Sequence, residues 1–94
     1  MRDSKRGSMA KKDKPIVELM SGINDFDIPF KDLCKILETV GFQKRIKGDH
    51  HIFYKDGIEE IINIQPAHSK AKAYQVRQIR KLFQKYNLGG KRSV

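Results

Sequence analysis

From Lys31 to Val40 the apolar residues Leu33, Ile36, Leu37 and Val40 recur at spacings of three and four. That is one stripe along a helix. Gly41 follows where the chain needs a residue free to take positive φ. The period then changes. From Phe42 to Lys47, Phe42, Lys44 and Ile46 alternate with Gln43, Arg45 and Lys47, a strand pattern. Gly48-Asp49 breaks it. His50 to Lys55 is a second strand rich in β-formers, broken by Asp56-Gly57. Glu59 to Gln65 is a third, with Ile61, Ile62 and Ile64, ended by Pro66. Ala67 to Lys72 reads as a basic loop. Ala73 to Tyr86 returns to helical spacing, with Tyr74, Val76, Ile79, Leu82, Phe83 and Tyr86 as its apolar side and Gly89-Gly90 as its stop.

Upstream, Pro15 fits the first turn of a short helix carrying Ile16, Val17, Leu19 and Met20, closed by Ser21-Gly22. Ile23 to Pro29 has loop composition. Residues 1–8 read as an expression scar, because Arg6-Gly7-Ser8 precedes a second methionine, Met9. The expected organisation is a scar (1–8), an N-terminal extension with a short helix (9–27), a folded domain (28–88) and a flexible tail (89–94). The fold class is α+β. It is a two-layer sandwich, αβββα, whose three-stranded antiparallel sheet carries its helices on one face. Ile36, Leu37, Phe53, Ile79 and Leu82 are expected in one core.

The alternation decides what the adjacent histidines His50 and His51 do, since neighbours on a strand point to opposite faces. With Gly48-Asp49 as a two-residue loop, Lys47 pairs with His50, Ile46 with His51, Arg45 with Ile52 and Lys44 with Phe53. Paired residues share a face. His51 then joins Phe42, Ile46 and Phe53 beneath the helices, as a packed sheet histidine. His50 joins Gln43, Arg45, Lys47, Ile52 and Tyr54. An imidazole trades protons near neutral pH, and neighbouring Arg and Lys hold phosphate and stabilise charge developing on it. An RNA 2′-OH attacking its own 3′-phosphate needs such a base, an acid and cationic support. It needs no metal.

Charge favours the same substrate class. The 94 residues hold 20 Lys+Arg against 11 Asp+Glu, a net of +9, which points to polyanions or an acidic protein. Lys70, Lys72, Arg77 and Lys81 form a run through the basic loop and the last helix, with Lys85 continuing the i,i+4 spacing. Phosphate contact is expected there and at Arg45 and Lys47. The single cysteine, Cys34, lies in an apolar helical stretch and reads as a buried, inert thiol. No apolar run approaches membrane-spanning length, so no membrane partner is expected and a cytoplasmic protein is. Asp32 and Glu38, and Asp56, Glu59 and Glu60, read as solvated charges rather than a metal site. His68 reads as an exposed loop histidine. No cofactor is called for.

Gly48, Asp49, His50 and Phe53 resemble the Gly-Ser-His-x-x-Phe signature of the HicA-type toxins of bacterial toxin–antitoxin systems. The likeness runs from about Ile28 to Leu88. It includes Leu37-Glu38-Thr39-Val40-Gly41-Phe42, Asn63-Ile64-Gln65-Pro66 and Lys72-Ala73-Tyr74-Gln75-Val76-Arg77-Gln78. The resemblance implies a double-stranded-RNA-binding-domain-like fold, metal-independent cleavage of mRNA, neutralisation by a HicB-type antitoxin, and His50 as the catalytic histidine. Asp49 departs from the family's serine, which bears on the efficiency of cleavage more than on the fold. Two other readings stay open: a noncatalytic RNA-binding module, and a basic protein that mainly binds an acidic partner. Oligomeric state is not legible.

Overall fold

The computed structural model describes residues 14–88. The scar at 1–8, the tail at 89–94 and the proposed stop at Gly89-Gly90 lie outside the described residues. The element order is α1 (Lys14–Ser21), α2 (Phe30–Val40), β1 (Gln43–Lys47), β2 (His50–Lys55), β3 (Ile58–Ile64) and α3 (Ala73–Tyr86). The sheet is antiparallel in the order β1-β2-β3. The αβββα sandwich expected from periodicity is therefore present, preceded by α1.

Helices α2 and α3 end by the same backbone device. After α2, Gly41 sits at φ 112°, and its N–H and that of Phe42 donate back to Glu38 and Leu37 at 3.0 Å each. The otherwise free carbonyls of the last turn are thereby satisfied. After α3 the left-handed residue is Asn87, at φ 59°. Its N–H and that of Leu88 return to Gln84 and Phe83. The helix thus stops before the glycine pair, because asparagine also tolerates this conformation.

Phe30, Leu33, Ile36 and Leu37 of α2, Phe53, Ile62 and Ile64 of the sheet, and Val76, Ile79, Leu82 and Phe83 of α3 form one buried cluster. Burying each such side chain contributes about 1.5–3 kcal/mol. Phe42 stacks on Phe83 with ring centroids 6.4 Å apart. Leu19 of α1 is fully buried in the same cluster. The residues ahead of α2 are therefore tied into this core. Arg80 of α3 reinforces the connection: it forks onto Asp25 at 2.8 and 2.9 Å and donates to the Leu19 carbonyl at 3.0 Å. The guanidinium holds the Asp25 carboxyl below its ordinary value.

Two apolar expectations fail at the margins. Ile46 is 56% exposed and every residue of β1 is exposed, since this edge strand extends past the helical cover. Tyr74 is 57% exposed, and Gln75 is buried in its place. At the start of α3 the face toward the sheet runs through Gln75, Val76 and Ile79 rather than Tyr74. Cys34 is buried, and burial pushes its thiol up to about 11, which suppresses the reactive thiolate at neutral pH.

Candidate active site and RNA-binding surface

The β1–β2 turn has the two-residue length expected, with Gly48 at φ 61°. Register follows from it: Lys47 opposes His50, Ile46 opposes His51, Arg45 opposes Ile52 and Lys44 opposes Phe53. On the next ladder His51 opposes Ile64 and Ile52 opposes Asn63. The histidines accordingly enter different surroundings.

His51, half-buried, meets Phe30 edge-on with centroids 4.9 Å apart. It lines a groove of about 410 Å³ between α2 and β1, with Phe30, Lys31, Cys34, Lys35 and Lys44 among the other walls. Lys44 there is paired with Glu38 at 2.8 Å.

His50 is exposed on the opposite face, with Arg45 and Lys47, also exposed, on the neighbouring strand. Its Nδ1 lies 2.9 Å from Oδ1 of Asn63. With the amide oxygen facing the ring, Nδ1–H donates and Nε2 keeps its lone pair pointed away from Asn63. The imidazolium makes the same bond, so the ring stays held when Nε2 gains a proton. Asn63 is steadied in turn: Gln75 Nε2 reaches its backbone carbonyl at 3.5 Å, the long limit of a hydrogen bond. Among the described residues Asp49, the departure from the family signature, makes no side-chain hydrogen bond to His50; its carbonyl faces His51 Nδ1 at 3.4 Å. Arg45 lies over the Tyr54 ring at 6.0 Å.

The remaining cations divide by position. Both α2 and α3 begin at the end of the sheet that carries the β1–β2 turn, as Phe30 touching His51 and the short link from Ile64 to Ala73 require. In that link His68 and Ser69 take positive φ, 54° and 72°. Paired hydrogen bonds between Ala67 and Lys70, 2.9 and 3.0 Å, close the turn. His68 is exposed. Lys70, also exposed, is bonded to Asp27, so it is not an unshared cation. Lys72 is the N-cap residue of α3, whose first turn holds no acid and whose cap makes no side-chain hydrogen bond. A cation at a helix N-terminus is unfavourable until an anion joins it.

Arg77 and Lys81 are exposed further along α3. The stripe expected from Arg77 through Lys81 to Lys85 is split. Arg77 turns over the Phe26 ring at 5.9 Å. Lys81 lies beside β3 in a groove with Gln78 and Glu60, and Lys85 is taken by Glu60 at 2.7 Å. Sequence reasoning missed Asn63 as a partner of His50, and it missed Phe26. Among the described residues no three His, Cys, Asp or Glu side chains converge as metal ligands, and no helix is long and apolar enough to cross a membrane.

An αβββα sandwich with a basic surface and an exposed, oriented histidine defines a small protein of the double-stranded-RNA-binding-domain-like class. The family model described as the HicA toxin of bacterial toxin–antitoxin matches residues 30–84. The chain belongs to the HicA toxin family. No curated protein and no solved structure matches it.

Proposed function

We propose that the protein is the toxin of a toxin–antitoxin pair and acts as a metal-independent endoribonuclease on mRNA. The observation that carries this reading is the exposed imidazole of His50, held at Nδ1 by Asn63 with Lys47 directly across the strand pair. Nε2 takes the proton of a ribose 2′-OH as that oxygen attacks the adjacent phosphorus. Lys47 and Arg45 offset the charge gathering on the phosphoryl oxygens. The P–O5′ bond breaks, and the imidazolium is the proton source for the departing oxygen. The products are a 2′,3′-cyclic phosphate and a 5′-OH end.

Lys70 and Lys72 extend the positive surface at the same end of the sheet, and Arg77 and Lys81 extend it along α3. A HicB-type antitoxin neutralises the toxin, and a chain of net charge +9 suits an acidic surface on that partner. The test is cleavage of a labelled mRNA in EDTA. Wild-type protein is expected to cut. His50→Ala is expected to lose about 10²–10⁴-fold in rate while keeping its fold. His51→Ala is expected to keep activity and lose about 1 kcal/mol of stability, the usual size for a point change. Full activity in His50→Ala sinks the mechanism, and loss of wild-type activity in EDTA points to a metal.

A further inference from the structure

We propose that Phe26, in the loop between α1 and α2, is a stacking platform for an unpaired base of single-stranded RNA, with the Arg77 guanidinium as its cationic partner. The inference rests on the RNA reading above, and the aromatic half of the subsite lies outside the residues that the family model matches, 30–84.

Phe26 is 79% exposed, although the loop around it is firmly held. Asp25 is gripped by the Arg80 fork at 2.8 and 2.9 Å. The Asp27 N–H closes a turn onto the Asn24 carbonyl at 2.9 Å, and the Ile28 carbonyl accepts from the Ala71 N–H at 2.9 Å. The Asp27 carboxylate is bonded to Lys70. Phe26 thus sits between anchored neighbours, with Arg77 over its ring and the residue otherwise open to solvent. Such a platform loses little freedom when a ligand docks on it.

The chemistry around the ring favours a nucleic acid base. Aromatic faces and guanidinium planes are the two surfaces on which splayed-out bases stack, and Arg77 stands 5.9 Å from the ring centroid. The two nearby acids each have a cation of their own, Arg80 for Asp25 and Lys70 for Asp27, which blunts their repulsion of a phosphate. Through Lys70, which also bridges to Pro29, the loop is joined to the end of the sheet that carries His50. A strand crossing that end has cations along its way to the ring. Ile23, 80% exposed in the same loop, offers the competing reading of a protein contact. A second copy of so basic a chain is disfavoured by charge.

The chain contains no tryptophan and three tyrosines, so Phe26→Trp supplies a single tryptophan at the platform, excited selectively at wavelengths where tyrosine does not absorb. In the full chain carrying His50→Ala, titration with a short single-stranded RNA is expected to quench that emission. An abasic ribose-phosphate oligomer of equal length is expected to leave it unchanged. Phe26→Ala is expected to weaken RNA binding about 5- to 150-fold, the equivalent of the roughly 1–3 kcal/mol a stacked base supplies, with an unchanged thermal melt. If the parent chain binds RNA, Phe26→Ala binds it equally well and the tryptophan stays bright, the platform is overturned and the RNA reading stands. If the parent binds no RNA at all, both fail. Self-association in sedimentation that Phe26→Ala abolishes, with RNA affinity unaltered, overturns the proposal in favour of a protein contact.

Discussion

The two ends of the sheet spend their polar groups differently. At the end carrying the β2–β3 turn, Glu60 accepts from Lys85 and from the Tyr86 hydroxyl at 2.7 Å each. Glu38 nearby takes Lys44, and the C-termini of α2 and α3 close on their own backbone. Two carboxylates there, Glu38 and Glu60, hold helices to strands. At the end carrying the β1–β2 turn, Lys47 and Arg45 have no carboxylate partner among the described residues. Lys72 occupies an N-cap without a compensating acid, and Gln75 keeps a buried Oε1 that no protein group satisfies among the described residues. His50 is held at one nitrogen only. The cations among these groups, Arg45, Lys47 and Lys72, suit the anionic backbone of the RNA proposed as substrate, whereas the Gln75 oxygen is an acceptor and calls for a donor.

The largest effect expected from this contrast, beyond loss of His50 itself, is at Asn63. Asn63→Ala removes the acceptor that fixes the ring of His50, and a misplaced catalytic group costs on the order of 10²-fold. The loss should appear in kcat rather than KM, because Asn63 acts through the imidazole and not on the substrate. Its side chain is exposed, so the melt should stay within about 0.5 kcal/mol. A variant that melts early, or that loses only substrate affinity, places Asn63 among the structural or binding residues and breaks the proposed chain from Gln75 through Asn63 to His50.

Most of the sandwich is legible in the sequence because each local signal agrees with the fold. The two-residue Gly48-Asp49 turn fixes the β1–β2 register, and with it the separation of His50 from His51. Asn63 is a different matter. The pairing of β2 with β3 shifts between Phe53 and Lys55, so Asn63, which unbroken counting from the Asp56-Gly57 turn sets directly opposite His50, stands opposite Ile52 and reaches His50 diagonally on the same face. A bulge is set by packing on both strands and leaves little trace in either one. Phe26 is hidden for another reason: composition marks Ile23 to Pro29 as a loop, yet what makes it a fixed platform is the Arg80–Asp25 fork, spanning 55 residues. Periodicity gives the face of Ile46 but not how far the covering helices reach, and at the start of α3 it does not separate Tyr74 from Gln75, which takes the buried position.

A smaller effect separates the two ends by their cations. If Lys47 meets phosphate, Lys47→Ala should make the log–log salt dependence of RNA binding shallower by roughly 0.7. Lys85→Ala should leave the slope alone, since Lys85 already serves Glu60. Binding by fluorescence anisotropy across a salt series measures both. Equal changes in the two variants would mean that the paired end is also part of the footprint.

The smallest effect belongs wholly to the paired end. Hydrogen bonds from Lys85 and then from Tyr86 bring the Glu60 carboxyl down to about 2 from an ordinary 4.5. Above the ordinary value Glu60 is charged in the folded and unfolded chain alike, and the folded form alone has these partners. As pH falls below about 4.5 the unfolded chain takes up the proton first. The stabilisation therefore drains away through the acid range and is gone once pH passes below about 2, where the folded carboxyl is protonated too. Glu60→Gln should start with lower stability at neutral pH and show a flatter decline between pH 4.5 and 2. Glu60 is partly exposed, so solvent and salt screen the pair and the difference should be modest. RNA binding at neutral pH should keep its salt slope in this variant. Denaturant titrations from pH 2 to 7 provide the measurement. Wild-type and variant curves that run parallel through the acid range would show that the Glu60 pairing adds nothing to stability, and that the paired end is held by its apolar contacts alone.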